Sequence, residues 1–205
     1  MSNRIVLGTH NQKKGAELAD LLAPYGLEVA TLADYSDAVE VVEDGDSFAA
    51  NARLKAVQQA QHLGAWVLAD DSGIEIDALH GAPGIRSARF AGQNATDEAN
   101  NRLLLEKLGD LPREKRGARY YCHVTLADAS GAIRAESYAT CRGVIRCEGA
   151  GANGFGYDPL FEVREYHRTF GQLGPAVKRA LSHRSRAMRA IVPQLVPLVS
   201  GEAGR

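Results

Sequence analysis

Residues 4–14, with the sequence RIVLGTHNQKK, decide how this chain begins to fold. The unbroken apolar run 5–7 predicts a buried strand over residues 4–9. Asn11 is a good helix cap, so a helix is expected directly after the strand, ending near Gly26. A strand that passes at once into a helix is typical of the opening of an α/β protein.

The alternation of strand and helix continues through the first half of the chain. Asp46 or Ser47 is expected to cap the second helix, and Thr96 the third. The predicted elements are a strand over 27–31, an acidic loop over 34–45, a helix over 47–63, a strand over 66–69, an extended segment over 74–78 and a helix that ends at Leu108.

The second half of the chain has a different pattern. Residues 118–126 and 134–141 alternate between apolar and polar positions on the two sides of a turn at 130–131, which predicts an antiparallel hairpin. A glycine-rich loop over 149–156 and a C-terminal helix capped by Ser182 are expected to follow. Together these elements predict an α/β fold with a mixed sheet.

Length and composition limit the kind of protein this can be. The 205 residues, 45% apolar and 24% charged, suffice for one large domain or two small lobes, expected over 1–200, with a disordered tail over 201–205. The net charge of −1 speaks against a nucleic-acid or membrane partner. Cys122, Cys141 and Cys147 lack metal-ligand spacing and are predicted to be small core residues. Because no signal-peptide or membrane-span pattern is present, a cytoplasmic protein is expected.

The junction at residues 9–14 is a candidate phosphate-binding site. A strand that runs into a helix offers backbone N–H groups and the positive end of the helix dipole. Lys14 lies in the predicted first turn, where a cation is unfavourable unless an anion compensates it. The candidate phosphate-binding residues are Thr9, His10, Asn11, Gln12, Lys13 and Lys14. A capped helix with solvated lysines is the alternative.

Asp70 and Asp71 are candidate functional carboxylates, because burying two carboxylates at the end of an apolar strand is costly unless they have partners. Consecutive strand residues face opposite sides, so both could reach one pocket only if the strand breaks there. Glu43 could join Asp71 around Mg2+, which prefers one or two carboxylates together with phosphate oxygens. A capped Asp-Ser-Gly turn without a ligand is the alternative.

Three further groups could face a ligand. Asn51 and Lys55 share one helix face, although their spacing alone favours a solvated helix surface. In the run 154–159, glycines flank an aromatic residue, which either lets the backbone approach a ligand beside a stacking ring or forms a tight turn. Lys178 precedes segment 182–184, which places His183 and Arg184 at a predicted helix start; these cations suit an acceptor-rich ligand or a solvated basic face.

Taken together, these segments resemble the inosine-triphosphate-pyrophosphatase-like family, the non-standard purine nucleoside triphosphate pyrophosphatases. They occur in the family's order and cover nearly the whole chain, which makes the ordered set far more specific than any one part. The matching stretches are Thr9-x-Asn11-x-x-Lys14, Glu43-x-Gly45, Phe48-x-x-Asn51-Ala52-x-x-Lys55-Ala56, Ala69-Asp70-Asp71-Ser72-Gly73-Ile74, Gly81-Ala82-Pro83-Gly84-Ile85-x-Ser87-Ala88-Arg89, Gly154-Phe155-Gly156-Tyr157-Asp158-Pro159 and Lys178 with Ser182-His183-Arg184.

The resemblance implies an elongated mixed β-sheet flanked by helices, with two lobes, a central active-site cleft and a homodimeric state. It implies Mg2+-dependent hydrolysis of ITP, dITP or XTP to the monophosphate and pyrophosphate. It assigns Asp71 as proton acceptor and metal ligand with Asp70 and Glu43, and it places Lys14 and Lys55 on the phosphates. The residues it assigns to the nucleotide pocket are Ser72, Phe155, Gly156, Tyr157, Asp158, Lys178, His183 and Arg184.

Other functions stay open on the sequence alone. A pyrophosphatase of the septum-formation-inhibitor type would carry out the same reaction on other bases. A nucleotide sensor would bind without turnover, and a nucleic-acid-binding module would use the basic C-terminal helix. The near-neutral charge disfavours the nucleic-acid module, because phosphate contacts along a duplex need a basic excess.

Overall fold

The computed structural model describes residues 3–201 and divides them into two compact units. The first unit comprises residues 3–71, 122–139 and 184–201, and the second comprises 72–121 and 140–183. Each unit has its own apolar core. The predicted tail at 201–205 falls outside the described residues except for Gly201.

The elements confirm an α/β fold with a mixed sheet. They are β1 (Arg4–Leu7), α1 (Gln12–Leu22), β2 (Glu28–Thr31), α2 (Phe48–Leu63), β3 (Val67–Ile76), α3 (Asp97–Leu108), β4 (Gly117–Ala127), β5 (Ile133–Ile145), β6 (Phe161–Val163), β7 (Arg168–Thr169), α4 (Pro175–Leu181) and α5 (His183–Ser200). The seven strands lie in the order β2-β1-β3-β4-β5-β6-β7. β1 pairs in parallel with β2 and β3, whereas β6 pairs antiparallel with β5 and β7.

The helix starts are where the capping residues predict them. The Asn11 side chain accepts a hydrogen bond from the Lys14 amide at 3.1 Å. Ser47, rather than Asp46, caps α2. Thr96 caps α3. Each cap satisfies one backbone donor that the first helical turn leaves without an intrahelical partner, which fixes where the helix begins.

Strand alternation gives the first unit a core on each face of its strands. The residues that pack on the side of α1 and α5 include Ile5, Leu7, Leu68, Leu18, Leu22, Met188, Ile191 and Leu195. Those that pack on the side of α2 include Val6, Val67, Ala69, Ala56 and Ala60. Successive residues of β1 and β3 therefore face different helices, as period two requires.

The second unit builds its core from α3, the outer strands and a group of aromatic rings. Tyr120 lies with its ring centroid 4.6 Å from that of Phe161, which in turn stacks on Phe170 at 5.5 Å. Leu104 and Leu108, on the inward side of α3, complete this core. Such tilted and offset ring pairs add to the stabilisation that burial alone provides.

Several sequence-based expectations are corrected by the structure. β1 ends at Leu7 instead of Thr9, because the Thr9 amide turns back to the Leu7 carbonyl at 2.9 Å. The predicted break after Ala69 is wrong, since β3 is continuous from Val67 to Ile76. Cys147 is exposed, although the other two cysteines are buried as expected.

Some elements were missed or only partly anticipated. β6, β7 and α4 are too short to produce a clear periodic pattern. The hairpin is confirmed, but the second half of β4 is buried on both faces, so His123 and Thr125 are buried despite their polarity. Within residues 3–201, none of the helices combines the length and apolar character that a bilayer span needs.

Candidate active site

β3 presents Asp70 and Asp71 to opposite faces of the first unit. Because the strand is unbroken, Asp70 shares the face of Leu68 with α1 and α5, and Asp71 shares the face of Ala69 with α2. Both carboxylates are buried, with residue exposures of 0% and 6%. Two buried carboxylates need cationic or hydrogen-bonding partners, and each face supplies its own.

The Asp71 side is built on α2. The Lys55 ammonium lies 3.2 Å from Asp71 Oδ1 and 3.3 Å from Glu43 Oε2. Asn51 Nδ2 donates to Asp71 Oδ2 at 3.3 Å. Asp71 and Glu43 therefore converge on one cation, and the helical spacing of Asn51 and Lys55 serves this acidic group instead of a solvated surface.

The electrostatics of this group favour a basic carboxylate beside a charged lysine. Burial raises the pKa of Asp71 above its ordinary value, and the charges of Lys55 and Lys14 oppose the rise without cancelling it. Burial alone would lower the pKa of Lys55, but the charges of Asp71, Asp70 and Glu43 outweigh it and raise that pKa. Lys55 is thus held as an ammonium group at neutral pH.

The Asp70 side brings together α1 and α5. Lys14 Nζ lies 3.7 Å from Asp70 Oδ2, and Arg184 Nε lies 3.4 Å from the same oxygen. Arg184 also bridges to Glu17 on α1 and is almost fully buried. Arg184 therefore balances the charge of Asp70 within the protein, while its predicted contact with a nucleotide stays a prediction.

The predicted phosphate-binding residues form the start of α1. The Asn11 amide donates to Thr9 Oγ1 at 3.2 Å, which tightens the turn between β1 and the helix. A cavity of about 470 Å³ lies beside this turn. Its lining includes Thr9, His10, Asn11, Gln12, Gly15 and Thr31. The strand-to-helix junction is therefore present as predicted, with Lys13 and Lys14 in the first turn.

In the second unit, Asp158 organises the glycine-flanked aromatic run. Its carboxylate accepts hydrogen bonds from Lys178 Nζ at 2.7 Å, from the Phe155 amide at 2.9 Å and from the Tyr120 hydroxyl at 3.2 Å. Lys178 Nζ also lies 4.5 Å from the centre of the Phe155 ring. A side chain on Gly154 would collide with Asp158, so glycine is required for this turn.

His183 lies against the ring of Tyr120, with centroids 4.6 Å apart and planes 7° apart. Tyr120 thus contacts both His183 and Asp158, two of the residues predicted to hold the nucleotide. Sequence analysis missed it as a site residue. Its place in an alternating strand signals only burial, so nothing in the sequence distinguished it from the other core residues of β4.

The other predicted nucleotide-pocket residues differ in what they can offer. The Tyr157 side chain is buried, and its hydroxyl donates to the Ser87 carbonyl at 2.8 Å, so it links two segments of the second unit. The Gly156 amide donates to Asp97 at 2.8 Å. Ser72 is half-buried on β3. Their predicted contacts with a nucleotide stay predictions.

The acidic group beside α2 has the donor chemistry that a hard divalent cation requires. Among residues 3–201, no three His, Cys, Asp or Glu side chains are arranged to hold a metal by themselves. Mg2+ usually binds one or two carboxylates and completes its shell with water and phosphate oxygens. Asp71 and Glu43 supply two hard oxygen donors that already converge on a cation, so they fit this ion.

Comparison with known proteins places the chain in a family. Residues 5–194 match the model of the Ham1 family. The chain belongs to the Ham1 family. It is 52% identical over 199 residues to a dITP/XTP pyrophosphatase of Rhodopirellula baltica, covering 97% of this chain and 96% of the relative. It is 46% identical to a dITP/XTP pyrophosphatase of an Exiguobacterium species, covering 97% and 100%.

Solved structures of Ham1 proteins have the same fold. The Ham1 protein of Coxiella burnetii superposes with a TM-score of 0.85 at 36% identity, covering 98% of this chain and all of that chain. The Staphylococcus aureus Ham1 protein gives a TM-score of 0.82, also at 36% identity, covering 97% and 99%. The resemblance found in the sequence motifs therefore extends to the whole fold.

Proposed function

We propose that this chain is a cytoplasmic nucleoside triphosphate pyrophosphohydrolase. It converts ITP, dITP and XTP to the monophosphate and pyrophosphate, with Mg2+ as its metal. The observation that carries the proposal is the convergence of Asp71 and Glu43 on Lys55, in the unit that also places Lys14 at the start of α1. The names of the Ham1-family relatives support the substrate class.

In the proposed reaction, Asp71 accepts a proton from the water that attacks the α-phosphorus. Its raised pKa makes it a stronger base than a solvated aspartate, while Asn51 and Lys55 fix its two oxygens in place. Lys55 and Lys14 balance the negative charge that grows on the departing pyrophosphate. The backbone at the start of α1 holds the phosphates through its N–H groups.

Asp71 and Glu43 are the residues that would hold Mg2+. When bound, the ion neutralises phosphate charge and polarises the phosphoryl group. Asp70 is paired with Lys14 and Arg184 on the other face of β3, so its predicted contact with the ion stays a prediction.

The second unit is proposed to bind the base. Phe155 stacks on the purine, and Lys178 is held beside that ring by Asp158. Hypoxanthine and xanthine carry an acceptor at position 6, whereas adenine carries an amino donor there. A protein donor such as His183 would pair with the first two bases and be left unpaired by adenine, which selects against ATP.

The test is pyrophosphate release from a panel of nucleotides with Mg2+. We expect rapid turnover of ITP, dITP and XTP and slow turnover of ATP, dUTP, TTP and m7GTP. Nucleotide binding without pyrophosphate release would identify a sensor, and a preference for dUTP, TTP or m7GTP would identify the septum-formation-inhibitor type of activity. Either result overturns the proposal.

A homodimer is part of the same proposal and is supported by the family resemblance. Light scattering coupled to size-exclusion chromatography measures the molar mass directly. A mass twice that of the 22.0 kDa chain is expected. A monomer at working concentrations would contradict this part alone.

A further inference from the structure

The segment 37–45, called here the acidic segment, is held against α2 by a row of polar side chains. Residues 37–45 form neither helix nor strand, so no helical or sheet hydrogen bonds fix them. The contacts from α2 to the segment are Asn51 to Gly45, Lys55 to Glu43, Gln59 to Val39 and His62 to Asp37. The four side chains are called here the polar row.

The polar row can contact the segment along its length because the spacing of its residues matches the helical repeat of α2. Steps of four, four and three residues keep these side chains on one face of α2. The segment runs antiparallel to α2, because residues later in the helix contact residues earlier in the segment. A rigid helix thereby sets the position of an irregular segment that carries Glu43.

Asn51 contacts both the segment and Asp71. Its Oδ1 accepts from the Gly45 amide at 2.9 Å, and its Nδ2 donates to Asp71 at 3.3 Å. The side chain is fully buried, at 0% exposure. Gly45 lies so close that an added Cβ would be 2.6 Å from Asn51 Oδ1 and 2.7 Å from Ala50 Cβ. Glycine is therefore needed for this approach.

We propose that Asn51 is a positioning residue that sets where Glu43 lies relative to Asp71. It does so by binding the backbone two residues after Glu43 with one end of its amide and the Asp71 carboxylate with the other. The inference rests on the proposed function only in taking Asp71 and Glu43 as the pair that holds a divalent metal. The two side-chain contacts of Asn51 are with Gly45 and Asp71, and the proposed role acts through them.

The first test measures metal binding without turnover. Asn51→Ala should weaken Mn2+ binding to the nucleotide-free protein by about tenfold in calorimetry, because removing the partners that orient metal ligands has effects of this size. Hydrogen exchange of the Gly45 amide should become faster. Ser47→Ala, which removes the cap of the same helix but leaves the polar row, is the matched control and should keep wild-type Mn2+ affinity.

A second variant covers the case in which Asn51→Ala fails to fold. Gly45→Ala leaves Asn51 in place but forces the segment away from α2, so it should weaken Mn2+ binding in the same way. In turnover assays, both variants should raise the Mg2+ concentration needed for half-maximal rate more than they lower kcat. A positioning role predicts that the Mg2+ requirement changes more than kcat, whereas a general loss of folded protein lowers kcat alone.

A double-mutant cycle separates this inference from the proposed function. If Asn51 acts through Glu43, Asn51→Ala should weaken Mn2+ binding much less in a Glu43→Gln background than in the wild type. Equal losses in both backgrounds, or full Mn2+ affinity in Asn51→Ala or Gly45→Ala, would overturn the inference. Failure of the proposed function would appear separately, as no pyrophosphate release by the wild type.

Discussion

At the residue scale, the proposed chemistry depends on a carboxylate that is buried and yet paired. Burial raises the pKa of Asp71, and the Lys55 ammonium group, 3.2 Å away, compensates the charge of the buried carboxylate. Asp70, its neighbour in the chain, has separate cationic partners because it faces the other side of β3. Two adjacent acids of the same type thereby have different partners.

Asp71→Asn should lower the rate of pyrophosphate release from ITP by about 10²–10⁴-fold, because the amide cannot accept the water proton. The amide is nearly the same size and can still bond Asn51, so the thermal unfolding midpoint should stay within a few degrees. A steady-state assay and a melting curve measure the two effects. Asp44→Asn, which changes an exposed acid in the same unit, should be neutral, and wild-type turnover in Asp71→Asn would remove this residue from catalysis.

His183→Ala should reduce the preference for ITP over ATP by about tenfold, which is the loss of one hydrogen bond of roughly 1.4 kcal/mol. The rate with ITP should fall less than the preference does. The quantity to measure is the ratio of kcat/KM for the two nucleotides. Arg164→Ala removes an exposed cation of the same unit and should leave the ratio unchanged. An unaltered ratio in His183→Ala would exclude His183 from base recognition.

At the element scale, α2 is tied to the hairpin by a partly exposed polar cluster around Glu136. Arg53 on α2 pairs with both Glu136 oxygens at 2.8 Å, and Thr125 and His123 on β4 hold the same carboxylate. The hydrogen bond from Arg53 is the largest of the interactions that lower the pKa of Glu136 to about 2. This cluster holds α2 in register with the sheet.

Glu136→Gln should reduce the free energy of unfolding by about 2 kcal/mol near pH 7, after allowance for partial solvent screening. Because the folded pKa lies below the unfolded value, this stabilisation is complete above about pH 4.5 and is lost as the pH falls towards about 2. In urea unfolding, the difference in free energy of unfolding between the wild type and Glu136→Gln should therefore become smaller as the pH is lowered. Glu148→Gln, at an exposed site, should unfold with the same free energy as the wild type. A difference between the wild type and Glu136→Gln that does not change with pH would contradict a stabilising role for the ionised Glu136 carboxylate.

At the scale of the whole molecule, we expect removal of the metal ion to affect activity but not the stability of the folded protein. Each unit has its own apolar core, so we expect both units to fold without a metal ion. Chelation should therefore abolish pyrophosphate release while leaving the far-UV circular dichroism and the melting midpoint unchanged, and added Mg2+ should restore the rate. Activity that persists in excess chelator would show that the reaction does not need a divalent ion.

The sequence by itself determined the strand-helix alternation, the helix caps and the set of motifs that marks the family. These are local properties, since capping and periodicity act over a few residues. It could not decide whether Asp70 and Asp71 share a pocket. A local Asp-Ser-Gly pattern favours a turn, but β3 lies between β1 and β4 in the sheet order and stays extended to Ile76.

Only the tertiary structure decided which partner each polar residue has. Asn51 and Lys55 look like a solvated helix face until the acidic segment and Asp71 are seen to cover it. Tyr120 looks like one more core residue until His183 and Asp158 are placed against it. Contacts between residues far apart in the chain follow from packing of whole elements, which leaves no periodic trace in the sequence.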